Sequence, residues 1–186
     1  LVKWIGAFER LVGACEVILF ILAAVLGAYT GFLLYALISY PMLNNPVLPA
    51  LFLASGTSSG IAATFLFILI AGKLRGDSHE SHFIHKFEVP IMVTELCLLV
   101  CFFVGLYFGG GQKVVALQNA LSGFWGAVFW IGVFFIGIVI PLLGNLAAKD
   151  SLKYNKNFII FVSIFDLIGV LCLRYFILYA GQLTTA

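Results

Sequence analysis

Apolar residues run along this chain in long blocks, not in the alternation of a strand or the single stripe of a surface helix. Crossing a hydrocarbon core as a helix takes about 20 apolar residues. Five blocks reach that length: residues 17–38, 47–71, 89–108, 121–143 and 158–180. With no water to satisfy backbone groups, runs of this length fold as helices. The pattern therefore predicts an all-α integral membrane protein with five transmembrane helices in one domain over residues 1–186. Pro49 and Pro90 fall in expected first turns, where a missing N–H does no harm, and Pro141 is expected to end or kink the fourth helix. The one strongly polar segment, GKLRGDSHESHFIHK, reads as the loop between the second and third spans. Glycines four apart (Gly27/Gly31, Gly56/Gly60, Gly105/Gly109) predict close helix packing.

Composition agrees with the pattern. The 186 residues are 63% hydrophobic and 10% charged, against about 25% charged in a soluble domain. A net charge of +2 gives no argument for a nucleic-acid partner. The position of the charges says more, because Lys and Arg favour the cytoplasmic side. Eight of the ten lie on alternate flanks: Lys3 and Arg10, then Lys73, Arg75 and Lys86, then Lys149, Lys153 and Lys156. Lys113 lies on the opposite side and Arg174 inside the fifth span. This asymmetry puts the N-terminal flank in the cytoplasm and the C-terminus outside, with the uncharged SYPMLNNP loop facing outward. The first residue is Leu rather than Met, so the chain reads as the later portion of a longer protein.

The four cysteines, Cys15, Cys97, Cys101 and Cys172, form none of the spacings of a metal or cluster site and read as buried packing residues. Ionisable groups within spans carry a functional hypothesis by default. They are Glu95, Asp166 and Arg174, whereas Glu16 and Glu88 fall at cytoplasmic ends within reach of water. A rise of about 1.5 Å per residue places Glu95, Asp166 and Arg174 roughly 9, 12 and 24 Å from the inner ends of their helices. Asp166 and Arg174 are too far apart on one helix to pair, so each needs a partner elsewhere. Such a ladder suits proton movement, and Glu95 and Asp166 are its expected carriers, set against a purely structural role.

Tyr29 and Thr30 interrupt the first span, and the stretch SGTSSG (residues 55–60) enters the second at a matching depth. If the two helices pack antiparallel, Tyr29 or Thr30 approaches Ser55, Thr57, Ser58 and Ser59 in the outer half. Hydroxyls gathered there can hydrogen-bond a small polar head group while apolar walls hold its tail. The alternative is hydroxyl bonding to helix backbone alone. His79, His82 and His85 belong to the polar loop, where a solvated role outweighs a metal site, and no metal ligand is assigned. No histidine falls within a span, and no iron–sulphur spacing or phosphate-binding glycine loop is present. The chain is expected to bind no cofactor and to pass any electrons to a partner.

The segments GAYTGFLLYALISYPMLNNPVLPALFLASGTSSG, FFVGL and LRYFILYAGQLT resemble the NrfD-type membrane subunits, relatives of the polysulfide reductase membrane anchor. The resemblance runs over nearly the whole chain and implies an eight-helix bundle of which these five helices are the C-terminal part. It implies a bacterial inner-membrane protein with a periplasmic C-terminus that oxidises menaquinol or a similar quinol. Electrons would go to a ferredoxin-like iron–sulphur subunit and on to multihaem c-type cytochromes that reduce nitrite to ammonia. The tyrosine of the YTG motif, Tyr29, is the quinol ligand that it carries over, with Arg174 of the LRYFILYAGQ motif as the next polar residue of the pocket. Two other readings stand beside this one: a proton or ion transporter, with SGTSSG as a break in its helix, and a non-catalytic anchor for an iron–sulphur subunit.

Overall fold

The computed structural model describes residues 2–70, 79–147 and 156–183, with side chains for 12–70, 88–146 and 157–183. Among the described residues there is no strand, and five helices are long and apolar enough to cross a membrane. The protein is a multi-pass membrane protein. Its helices are α1 (Val2–Tyr35), α2 (Leu48–Ile70), α3 (His79–Phe108), a short α4 (Gln112–Leu121), α5 (residues 123–147) and α6 (Lys156–Gln182). Helix α2 is central: it packs against α1, α3 and α6, while α6 packs most closely against α5. Phe52, Phe102, Leu106, Phe129, Phe176 and Ile177 form part of the shared core. Much of α1 is apolar and uncovered, with Phe20, Leu26 and Phe32 exposed.

The α1–α2 loop is uncharged but held by asparagines. Asn44 Nδ2 donates to the Tyr35 carbonyl at 2.9 Å and closes α1 there, three residues short of the predicted end. Asn45 Oδ1 accepts from the Val47 N–H at 3.0 Å, the side-chain turn that asparagine favours. Its Nδ2 donates to the Phe102 carbonyl of α3 at 3.1 Å. Gly105 makes room for it, since a Cβ there would stand 3.2 Å from Asn45 Nδ2. Lys113 Nζ, from α4, donates to the Asn44 carbonyl at 3.0 Å.

Helix α3 begins at His79, inside the segment expected to be a loop, so Pro90 lies well within the helix rather than in its first turn. The stretch before the span holds neither Gly nor Pro, so nothing in it breaks the helix, which runs on unbroken from His79 into the span. The side chains of His79, His82 and His85 lie outside the described residues. So do those of the basic residues other than Lys113 and Arg174. Cys15, Cys97 and Cys101 are exposed on the outside of the bundle, not buried, and Cys172 is partly buried.

Helix α5 has three parts: α-helical Gly123–Ala127, π-helical Val128–Val139 and α-helical Ile140–Ala147. Pro141 neither ends it nor lies in a break. The Ile140 N–H bonds to the Phe135 carbonyl, five residues back. The widened winding therefore precedes the residue that lacks an N–H. Positions five apart on an α-helix diverge by about 140°, but i→i+5 winding returns them to nearly one side. Gly132 and Gly137 both face α6 for that reason. A Cβ at Gly132 would stand 3.0 Å from Cys172 Sγ, and one at Gly137 2.6 Å from Gly169 Cα. A Cβ at Gly169 would likewise overlap the backbone of Gly137. Of the predicted glycine pairs, Gly31 lies against the Pro49 backbone, while Gly60 has nothing within 4 Å.

Candidate functional site

Polar groups inside the bundle form a seam. Asp166 of α6 is 2% exposed and accepts from Ser58 of α2, whose Oγ lies 3.1 Å from each carboxylate oxygen. The Gly-Thr-Ser-Ser stretch of α2 supplies this contact without any break, because α2 is continuous through it. Glu95 of α3 is buried and within electrostatic reach of Asp166 and Arg174. Glu88, expected at a wet helix end, is buried as well and within reach of Asp166. It lies seven residues before Glu95, two turns along the same face of α3. That heptad spacing is visible in the sequence, but an acidic residue at the edge of an apolar block reads as solvated until the helix is seen to extend beyond it. Ser163 of α6 and Asn145 of α5 complete the buried polar set in this half. Each is a single polar residue in an apolar run, a weak signal without the fold.

Arg174 stands at the other end of the seam. Its guanidinium lies 5.3 Å over the Phe52 ring of α2, a cation–π contact. One turn further along α2, Gly56 lies beside the guanidinium, where a Cβ would make ordinary contact at 3.6 Å from Arg174 Nη2. Both Asp166 and Arg174 thus find their partners on another helix, α2.

Arg174 borders a groove of about 950 Å³ between α1 and α2. Its walls include Phe20, Ala24, Gly27, Leu53 and Ile61, with Thr30, Thr57 and Thr64 as its hydroxyl groups. Small-molecule sites typically measure about 300–1,000 Å³, with apolar walls and a few polar groups, and this groove fits that description. A second pocket of about 290 Å³ between α3 and α5 is lined by Leu96, Phe103, Phe129 and Trp130 among others, and it offers no polar surface. It has nothing to orient a polar head group.

The predicted hydroxyl set divides. Thr30 and Thr57 meet at the groove, whereas Ser55 and Ser58 face the core and Ser59 lies off its walls. Several bond to carbonyls of their own helix: Thr30 Oγ1 to Gly27 at 3.2 Å, Ser55 Oγ to Phe52 at 3.2 Å, Thr57 Oγ1 to Leu53 at 2.7 Å and Ser59 Oγ to Gly56 at 3.0 Å. Such back-bonding satisfies a hydroxyl in an apolar helix. Tyr29 is not a wall of the groove; it is 56% exposed on another face of α1. Three groups of chemistry result: an arginine and threonines at a ligand-sized groove, a serine–aspartate pair able to hold or pass a proton, and buried glutamates along α3.

Comparison with known proteins adds to this arrangement. The whole chain, residues 1–186, matches the family described as "Polysulphide reductase, NrfD". It is 82% identical over 184 residues to the "Protein NrfD homolog" of Haemophilus influenzae, covering 99% of this chain and 57% of that protein. It is 48% identical over 172 residues to "Protein NrfD" of Escherichia coli, covering 92% of this chain and 54% of that one. To a polysulfide reductase polypeptide of Wolinella succinogenes it is 39% identical over 168 residues, covering 90% and 53%. The chain thus spans a little over half the length of these relatives. No solved structure gives a significant match.

Proposed function

The chain belongs to the polysulphide reductase NrfD family, and we propose that it forms part of the quinol-oxidising membrane subunit of a redox complex. The carrying observation is the Arg174 guanidinium, held over Phe52 and against Gly56 at the edge of an otherwise mostly apolar groove. A quinol has a small polar ring and a long apolar tail. Arg174 and Thr57 offer donors and acceptors to the ring oxygens, and the walls from Phe20 to Ile61 take the tail. Oxidation of the quinol releases protons and electrons. Glu95, Asp166 and its donor Ser58 lead away from Arg174 and carry the protons. The electrons pass to a ferredoxin-like iron–sulphur subunit and then to multihaem c-type cytochromes, with menaquinol as the donor and nitrite as the final acceptor. The setting is the bacterial inner membrane, with the N-terminal flank cytoplasmic and the C-terminus periplasmic, in line with the distribution of Lys and Arg.

The test is binding of a fluorescent quinone analogue to the full-length protein in its complex. Arg174→Met is expected to weaken it by about tenfold, roughly 1.4 kcal/mol, with assembly unchanged. Wild-type affinity in that variant refutes the groove site. A second reading rests on Tyr29, an exposed phenol within an apolar span that makes no hydrogen bond to the described residues. A phenol in hydrocarbon needs a partner. If Tyr29→Phe lowers quinone affinity and Arg174→Met does not, the head group binds on that face of α1 instead. Purification of the complex separates the remaining alternatives. An iron–sulphur subunit without bound quinone points to an anchor, and neither one points to a transporter.

A further inference from the structure

Asn145 makes no hydrogen bond to any described residue. It is 3% exposed, yet neither its Oδ1 nor its Nδ2 has a partner among the described residues. A buried amide left unpaired costs about 1–3 kcal/mol, and such a group in a native fold calls for an explanation. Its place in the bundle supplies one. The closing segment of α5, Ile140–Ala147, packs against both α3 and α6. Pro141 and Asn145, one turn apart, are its buried residues. Next to Asn145, Gly144 faces Phe158 and Val162, which fixes this turn at the level of the first turns of α6. Glu88 lies toward the same end of α3, two turns before Glu95. Going inward from Asn157 along α6, Ser163 lies about 9 Å deep and Asp166 about 14 Å.

We infer that Asn145 is a positioning residue that holds an internal water between Glu88 of α3 and the Ser163–Asp166 face of α6. The seam thereby gains a mouth at the end of the bundle where α5 gives way to α6. A water accepts from Nδ2 and donates to Oδ1, which satisfies both atoms of the amide at once; about three such bonds are usual for a buried water. The amide itself takes up and loses no proton. A proton leaving the Asp166 carboxyl joins the water as another leaves that water for a Glu88 oxygen, and the reverse path is the same. Charge balances at each hop, with no oxidant or reductant involved. The assignment deepens the proton-path reading above and rests on it for its role in turnover, but the water site is testable alone.

The experiment is a pH-jump infrared measurement on the full-length protein in its complex, reconstituted in liposomes. The Asp166 carboxyl bands, identified by their loss in Asp166→Asn, are timed after the jump. Asn145→Leu, an apolar residue of similar size, is expected to slow their response on the order of 100-fold, as loss of a positioned proton-transfer group does. Asn145→Ser, small enough to leave the water in place, is expected to stay within about threefold of wild type by the same reasoning. Should the leucine variant not accumulate, Asn145→Ala against Asn145→Ser decides: equal rates overturn the proposal, and a slow alanine variant supports it. An unslowed Asn145→Leu, or Asp166 bands that never respond in wild type, also overturns it. Quinol-analogue oxidation is read in parallel. A slowed response with no oxidation in wild type removes the quinol reading and leaves the water site standing.

Discussion

Gly169→Ala tests the tightest contact in the bundle. In a membrane, helices are not driven together by the hydrophobic effect but by close packing, which small residues allow. A Cβ at Gly169 would overlap the Gly137 Cα and stand 3.0 Å from its nitrogen and 3.1 Å from its carbonyl carbon. Carbon atoms at rest are about 3.5–4.0 Å apart, so α5 and α6 must separate by roughly 1 Å or more. A gap of about 0.5–1 Å already forfeits a quarter to a half of a contact's attraction. The loss spreads to neighbours such as Leu173 and Val133. Overpacking of this kind costs about 1–3 kcal/mol, partly offset by up to about 1 kcal/mol of helix propensity gained in replacing glycine. The control is Gly13→Ala, where nothing lies within 4 Å and the propensity gain stands alone. The assay is the midpoint of SDS-driven unfolding of the full-length protein in mixed micelles. Gly13→Ala is expected at or above wild type, Gly169→Ala clearly below it. A Gly169→Ala midpoint equal to that of Gly13→Ala would refute the backbone contact and with it the π-helical register of α5.

Ser58→Ala removes the donor to both oxygens of buried Asp166 and is expected to destabilise by about 1.5–3 kcal/mol. In a cycle with Asp166→Asn, purely additive effects on the unfolding midpoint count against the pair. Gly56→Leu fills the space beside Arg174 Nη2 and is expected to displace the guanidinium and weaken quinone-analogue binding about as much as Arg174→Met, while Gly56→Ala is tolerated. Unchanged affinity in Gly56→Leu would show that Arg174 does not define the groove. Asn45→Ala deletes two hydrogen bonds, to Phe102 and Val47, at a cost of about 2 kcal/mol, and is expected to speed proteolysis of the α1–α2 loop. A reporter active only in the cytoplasm, fused after Ala186, is expected to stay silent; activity would reverse the orientation.

The helices are legible in the sequence because a membrane span states its length in apolar residues. Faces are less legible. SGTSSG correctly marks α2 as the polar helix, but consecutive residues of a helix diverge by about 100°, so Ser58 turns to Asp166 while Thr57 turns to the groove. The sequence also indicates that Asp166 and Arg174 need partners on another helix, but not that α2 supplies both. Pro90 and Glu88 depart from expectation for a common reason: the apolar block suggests a helix that starts beside them, whereas α3 begins at His79. The five-residue spacing of Gly132 and Gly137 stands in the chain, yet it carries meaning only after the winding is known.

That winding also bears on how the chain tolerates a change in length. Deleting one residue from an α-helical span turns everything beyond it by about 100°, which would swing Arg174 off Phe52 if it happened between Asp166 and Arg174 in α6. The stretch from Val128 to Val139 is different, because one wide turn can tighten into an ordinary one and absorb the missing residue. A loss there leaves Trp125 and Asn145, on either side, still facing the same neighbours. Among the described spans of this protein, α5 is the one in which a single-codon deletion can pass with the bundle intact.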